Sequence, residues 1–255
     1  MIRQLVTLKN EVIENKFNVG ETKLFAGAGL VIEYDGTAAS SENYTLITTE
    51  YALELSSLIF RLRDIFDGYI DYLSKYAFYD TLGQAAIRSL EKQSNMKNLL
   101  LDVIDEALCF TESFNETIEY FAYGSNMDET QMSKRCPSAK VIGKGMLPGY
   151  CFSLDHSGYA TVLNRSNDSV LGVIWEIRGT DVIALDKAEG VRKECYRDAF
   201  VRVEEIDKVH DVLIYISLRE ANDGNRKDGY LKKVIRAANR WEFPVNYVNH
   251  IKQLL

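Results

Sequence analysis

YFAYGSNMD, residues 120–128, ends an aromatic, strand-like run on a tyrosine, a glycine, a serine and an asparagine. Aromatic side chains alternating with small ones suit a pleated strand. Gly124, Ser125 and Asn126 together ask instead for a tight turn with unusual backbone angles. The stretch predicts a strand that stops in order to hold something at its end.

Downstream of it the pattern is mostly short strands: IEYFAY, AKVIGKGM with GYCFSL, YATVLN, SVLGVIWEI, CYRDAFVRVEEI and DVLIYISL. Helical spacing marks DETQMSKRC, DVIALDKAE, KDGYLKKVIRAA and PVNYVNHIKQLL, with Pro244 suited to the first position of the last helix. Many strands with few helices predict an α+β fold with a curled, barrel-like sheet.

Upstream the pattern differs. LVTL, KLFAGAGLVIEYDG and YTLITT read as a few short strands. From Thr49 the spacing turns helical: Leu55, Leu58, Ile59, Leu62, Ile65, Phe66, Tyr69 and Leu73 form one apolar stripe. TLGQAAIRSLEKQ and MKNLLLDVIDEALCF predict two further helices. The polar interval TESFNET, residues 111–117, is the best boundary. The expectation is a mostly helical N-terminal domain with a few short strands, residues 1–115, followed by an α+β domain, residues 119–255.

A chain of 255 residues has room for two such cores. With 46% hydrophobic and 26% charged residues and three prolines it reads as an ordinary globular protein. The net charge of −7 argues against a general nucleic-acid or anionic-membrane surface, and Lys232, Lys233 and Arg236 read as a solvated helix face. No window approaches the ~18 unbroken apolar residues of a membrane helix, and the N-terminus does not read as an exported leader. Cys109, Cys136, Cys151 and Cys195 lack any C-x-x-C pairing, which fits reduced, mostly buried thiols in a cytoplasm.

Weaker signals have plainer explanations. Gly27-Ala28-Gly29 lacks the third glycine of a dinucleotide loop, since position 32 is Ile. Gly143, Gly145 and Gly149 lack the lysine and hydroxyl of a phosphate loop and read as turns and bulges. Asp155-His156-Ser157 are adjacent and cannot relay protons among themselves, so His156 reads as a loop residue. His210 and His250 have no neighbours at metal-ligand spacing. Glu189 stands at the end of a short helix before Gly190, with Tyr196 seven residues on. Composition alone makes Glu189 a surface acid, but the negative end of a helix dipole disfavours its charged form and makes it more plausible as a base.

Several stretches occur in a telling order: YGSN at 123–126, R-x-P at 135–137, GKGMLPGY at 143–150, GYATV at 158–162, LGVIWEI at 171–177 and LDKAEGV at 185–191. With the closing GYLKKVIRAANRWEFPVNY, this order resembles the γ-glutamylcyclotransferase family across residues 119–255. Residues 1–115 show no such resemblance.

The resemblance implies an enzyme that converts a γ-glutamyl compound into 5-oxoproline and a free amine or amino acid, without metal or organic cofactor. It implies Glu189 as general acid and base, its carboxyl raised from a reference of about 4.3 by partial burial. It implies substrate contacts from Gly124, Ser125 and Asn126 through a loop of converging N–H groups, aided by the helix that follows. Tyr123 joins that set by packing beneath the loop, and Tyr196 by orienting Glu189 or touching substrate. Two alternatives stay open: removal of a γ-glutamyl group from a larger amine, and a non-catalytic ligand- or partner-binding protein on the same fold. The N-terminal domain is left a role in self-association, gating or contact with another protein.

Overall fold

A computed structural model describes residues 1–16, 52–66, 69–70, 78, 81–86, 88–89, 92, 95–221 and 227–254. The chain divides into two compact units, Met1–Glu116 and Thr117–Leu255.

The first unit is built from α1 (Ile2–Ile13), α2 (Ala52–Phe66) and α3 (Met96–Phe110), with residues 81–86 and 88–89 also helical. LVTL was expected as a strand and lies inside α1. Its apolar residues belong to a helical stripe, Ile2, Leu5, Val6, Leu8, Val12 and Ile13, that four residues are too few to reveal. KLFAGAGLVIEYDG, with its Gly27-Ala28-Gly29, and YTLITT fall outside the described residues. In α2 Leu58, Leu62 and Phe66 are buried, but the helix ends at Phe66, and Tyr69, expected on the apolar stripe, is 54% exposed. Phe66, Phe78 and Phe110 stack within 4.4–5.8 Å of one another as the aromatic centre of this core.

The second unit is a closed barrel of five strands, ordered β1-β3-β2-β4-β5: β1 (Thr117–Ala122), β2 (Lys140–Leu154), β3 (Ala160–Arg178), β4 (Tyr196–Glu205) and β5 (Lys208–Ser217). All neighbours are antiparallel except β1 and β5, which close the barrel in parallel at Tyr120↔Leu213. Closure leaves no bare sheet edge. The runs read as separate strands on either side of Pro148-Gly149, and again around residue 167, are single long strands. The β2 ladder survives Pro148 because the register shifts there, and Gly149 takes the left-handed φ of 77° that this bulge requires.

Four helices decorate the barrel: α4 (Glu129–Arg135), α5 (Gly179–Glu189), α6 (Asp228–Arg240) and α7 (Val245–Lys252). Pro244 sits one position earlier than expected, as the N-cap of α7, with its carbonyl accepting from Val248 N–H. Close packing of strands is enforced at Gly172, where a Cβ would lie 2.5 Å from the Ala122 carbonyl and from the Phe121 ring. Of the four thiols, Cys136 and Cys151 are buried, Cys195 is partly exposed and Cys109 is exposed, so the expectation of burial holds for two. Among the described residues no helix is long and apolar enough to cross a membrane.

Candidate active site

One end of the barrel opens into a cavity of about 460 Å³. Its floor is the segment after β1. Tyr123, Gly124, Ser125, Asn126, Glu189 and Tyr196, all singled out from the sequence, line this one space.

The loop takes Gly124 at a negative φ of −109°, outside the left-handed region. It needs glycine for room. A Cβ there would stand 2.8 Å from the Tyr230 hydroxyl and 3.2 Å from the Ala160 methyl. The next three residues form a 3₁₀ turn, Ser125–Met127, closed by Met127 N–H donating to Gly124 O and Asp128 N–H to Ser125 O. Trp241 holds it from outside by donating to Met127 O at 2.8 Å. The helix that follows, α4, does not present a free dipole end, because the Asp128 carboxylate caps it by accepting from Gln131 N–H.

Glu189 is delivered from the other side by α5. That helix starts where Asp181 accepts from Arg178 N–H and contacts Ser138, and stops where Gly190 turns left-handed at φ 71°. One turn before Glu189, Asp186 accepts a 2.7 Å bond from the Tyr215 hydroxyl, which fastens the helix to β5.

Loop and helix meet at the carboxylate. Asn126 donates from Nδ2 to Glu189 Oε1 at 3.1 Å and to the Tyr120 hydroxyl at 2.9 Å. Arg135 Nη1 reaches the same Glu189 oxygen at 3.2 Å and Asn126 Oδ1 at 2.6 Å. Gln131 donates to Ser125 Oγ and Asn126 Oδ1 and accepts from Lys233 Nζ at 2.9 Å. Ser125 and Asn126 are thus oriented by α4, not by the loop alone. Burial pushes the Glu189 carboxyl above its usual range, while the Arg135 charge and the Asn126 and Arg135 hydrogen bonds pull it back. The pair is partly solvated, Arg135 being 31% and Glu189 19% exposed.

The tyrosines are acids held neutral. Burial raises Tyr120 and Tyr196, and pushes Tyr230 up to about 12. The Tyr196 hydroxyl donates not to Glu189 but to Ala160 O at 2.8 Å, which pins the start of β4 to β3. Tyr123 lines the cavity, and its hydroxyl donates to Tyr215 O at 2.6 Å. The Tyr230 hydroxyl accepts from Ala160 N–H at 3.4 Å and lies beside the Ser125 N–H and hydroxyl.

Other sequence features fall elsewhere. Asp155 is fully buried and organises a turn, accepting from the N–H of Ser157 and Tyr159, the Ser217 hydroxyl and Arg219. His210 is buried between Glu119 at 2.8 Å and Glu205 at 2.9 Å, away from the cavity. Arg135 stands in the sequence as part of R-x-P with no contact implied, and no local pattern marks Tyr120, Gln131 or Tyr230. Lys233, expected on a solvated face, is half-buried at the margin of the buried stripe of α6, where it borders the cavity and grips Gln131.

An AIG2-like family model matches residues 169–251, the stretch that runs from β3 through Glu189 to α7. Proteins named gamma-glutamylcyclotransferase from Bos taurus and Mus musculus are each 34% identical over 93 residues, 32% of this chain and 48% of theirs. A solved structure named Gamma-glutamyl cyclotransferase superposes with a TM-score of 0.50 at 26% identity, covering 54% of this chain and 87% of its own. The C-terminal unit is thus similar to γ-glutamylcyclotransferases, in sequence over part of its length and in fold. The match spans about half the length of the curated relatives. The strand-end loop and the α5 carboxylate are therefore seen in the setting of a γ-glutamylcyclotransferase-like barrel.

Proposed function

We propose that the C-terminal unit is a γ-glutamyl cyclotransferase with Glu189 as its single acid and base. The α-amine of a bound γ-glutamyl group attacks its own γ-carbonyl, forming the ring C–N bond. Glu189 takes a proton from the attacking nitrogen and gives it to the leaving nitrogen as the original C–N bond breaks. The products are 5-oxoproline and a free amine. Both reactants belong to one molecule, so the protein's task is to fold the substrate, move one proton and stabilise the oxyanion.

The observation that carries this reading is the meeting of Asn126, Arg135 and Glu189 in one half-closed cavity, with burial and Arg135 acting in opposite directions on the carboxyl. A base must be ionised at rest and able to hold a proton in transit, and opposed influences of this kind suit both. Gly124, Ser125 and Asn126 take the glutamyl moiety, Arg135 supplies the cation its α-carboxylate needs, and the Tyr123 and Tyr196 rings wall the seat. No cofactor takes part. The Met1–Glu116 unit serves association or choice of acceptor, and the four unpaired thiols fit a cytoplasmic protein.

Incubation with γ-glutamyl amino acids and γ-glutamyl amines, followed by mass spectrometry, tests it. The expected result is 5-oxoproline and free amine in equal amounts. Free glutamate in place of 5-oxoproline would mean a hydrolase.

A further inference from the structure

Charge is unevenly distributed between the cavity and the rest of the molecule. The chain carries −7, yet among the described residues the cavity is faced by five cationic side chains, Arg135, Lys187, Lys193, Arg219 and Lys233, and by one carboxylate, Glu189. Two of the cations are already paired, Arg135 with Glu189 at 3.2 Å and Arg219 with Asp155 at 3.3 Å. Among the described residues Lys233 is held by the neutral Gln131 alone. Lys187 and Lys193 are exposed, and their ammonium groups have no ion-pair partner among the described residues.

A γ-glutamyl group cannot account for this. It brings one carboxylate and one ammonium, and one cation satisfies it. The surplus lies where the other half of the substrate must go. Lys187 precedes Glu189 by two residues on α5, and Lys193 ends the 3₁₀ turn Val191–Lys193 just after it. Lys187 and Lys193 line the same cavity as Glu189, which protonates the leaving nitrogen on the cyclotransferase reading, so the atoms bonded to that nitrogen come within reach of the two lysines. In an amino-acid leaving group the α-carboxylate is two bonds from the nitrogen. An alkylamine offers no charge there, and an ε-linked lysine carries its carboxylate far along the chain beside a repelled ammonium.

We infer that the enzyme selects γ-glutamyl conjugates whose leaving amine is anionic, best of all an acidic amino acid, and that Lys187 and Lys193 are the residues that read this charge. The inference rests on the cyclotransferase reading and narrows its substrate class. A cleft lined by one sign of charge also concentrates and steers an oppositely charged substrate, an effect that salt screens.

The test compares kcat/KM for γ-glutamyl-glutamate, γ-glutamyl-alanine, γ-glutamyl-ethylamine and γ-glutamyl-ε-lysine, at low and raised salt. The comparison is repeated in the Lys187→Glu/Lys193→Glu variant. The expected order is glutamate, alanine, then the two amines, with at least about tenfold between first and last and the glutamate advantage shrinking with salt. The double variant is expected to lower the glutamate-to-ethylamine ratio by about tenfold or more, chiefly through KM. An ethylamine rate equal to or above the glutamate rate, or a ratio unchanged in the variant, overturns the inference. Calorimetric binding of γ-glutamyl-glutamate and γ-glutamyl-ethylamine to Glu189→Gln keeps the two readings separable. Binding that favours γ-glutamyl-glutamate without any turnover by the native protein sinks the reaction and keeps the charge selection; turnover without the preference sinks the selection alone.

Discussion

Glu189→Gln isolates proton transfer from everything else the residue does. Glutamine keeps an oxygen at the position of Oε1, so the Asn126 amide at 3.1 Å and the Arg135 guanidinium at 3.2 Å retain their acceptor. Substrate seating should therefore survive, with KM within a few fold of native. The proton-transfer capacity does not survive. A positioned general base contributes about 10²–10⁴-fold, and this cavity has no substitute for it. Among the described residues no second carboxylate lines it, and burial holds the Tyr120, Tyr196 and Tyr230 hydroxyls too far up to act as bases near neutrality. The loss in kcat therefore belongs in the upper half of that range, about 10³–10⁴, or about 4–5.5 kcal/mol at 1.36 per decade. Stability moves little. The substitution loses a partly solvated ion pair, about 0–1 kcal/mol, and also removes a carboxylate that burial disfavours in its charged form. For a carboxyl raised in the folded state, that charged-state cost is present above the folded pKa and absent below the unfolded one. The two effects oppose each other at neutral pH. Single-turnover release of 5-oxoproline, with a thermal melt of the same preparation, reads both quantities. A correctly folded variant that keeps kcat within about tenfold of native would refute Glu189 as the base.

Arg135→Gln is expected to move the acid limb of the kcat/KM profile to higher pH, since the lost guanidinium is the main influence opposing burial on Glu189; a limb that stays put or moves to lower pH contradicts this. Gly172→Ala is expected to cost about 1–3 kcal/mol or more in urea unfolding, because its Cβ meets the Ala122 carbonyl and the Phe121 ring at 2.5 Å. Tyr123→Phe should cost about 1 kcal/mol by taking the donor from a buried bond to the Tyr215 carbonyl; an unchanged melt together with a raised KM would instead make its hydroxyl a substrate contact.

The features legible in the sequence are those that one residue type must satisfy alone. A glycine after an aromatic strand, and a carboxylate before a glycine at a helix end, each imply a local conformation, and both lead to the cavity. The barrel was legible as a curled sheet of many strands, but its strand count was not. An interruption such as Pro148-Gly149 looks the same whether the chain turns back or merely bulges, and only the β3 ladder alongside decides. Arg135, Gln131 and Lys233 acquire their roles from partners up to 102 residues away, which no local pattern encodes. LVTL failed for a related reason, since both alternation and helical spacing accommodate four residues.

Asn126 shows why the fold and the site cannot be separated here. Its side chain fills every hydrogen-bonding role it has: Nδ2 donates to Tyr120 and Glu189, and Oδ1 accepts from Gln131 and Arg135. Tyr120 belongs to β1, Gln131 and Arg135 to α4, and Glu189 to α5, so one amide ties three elements to the strand-end loop. An aspartate would fit the same space yet present only acceptors, losing both donated bonds and setting a second negative charge against Glu189. The asparagine of YGSN is therefore fixed by the carboxylate it must hold, and the strand stops at Ala122 so that this amide can reach it.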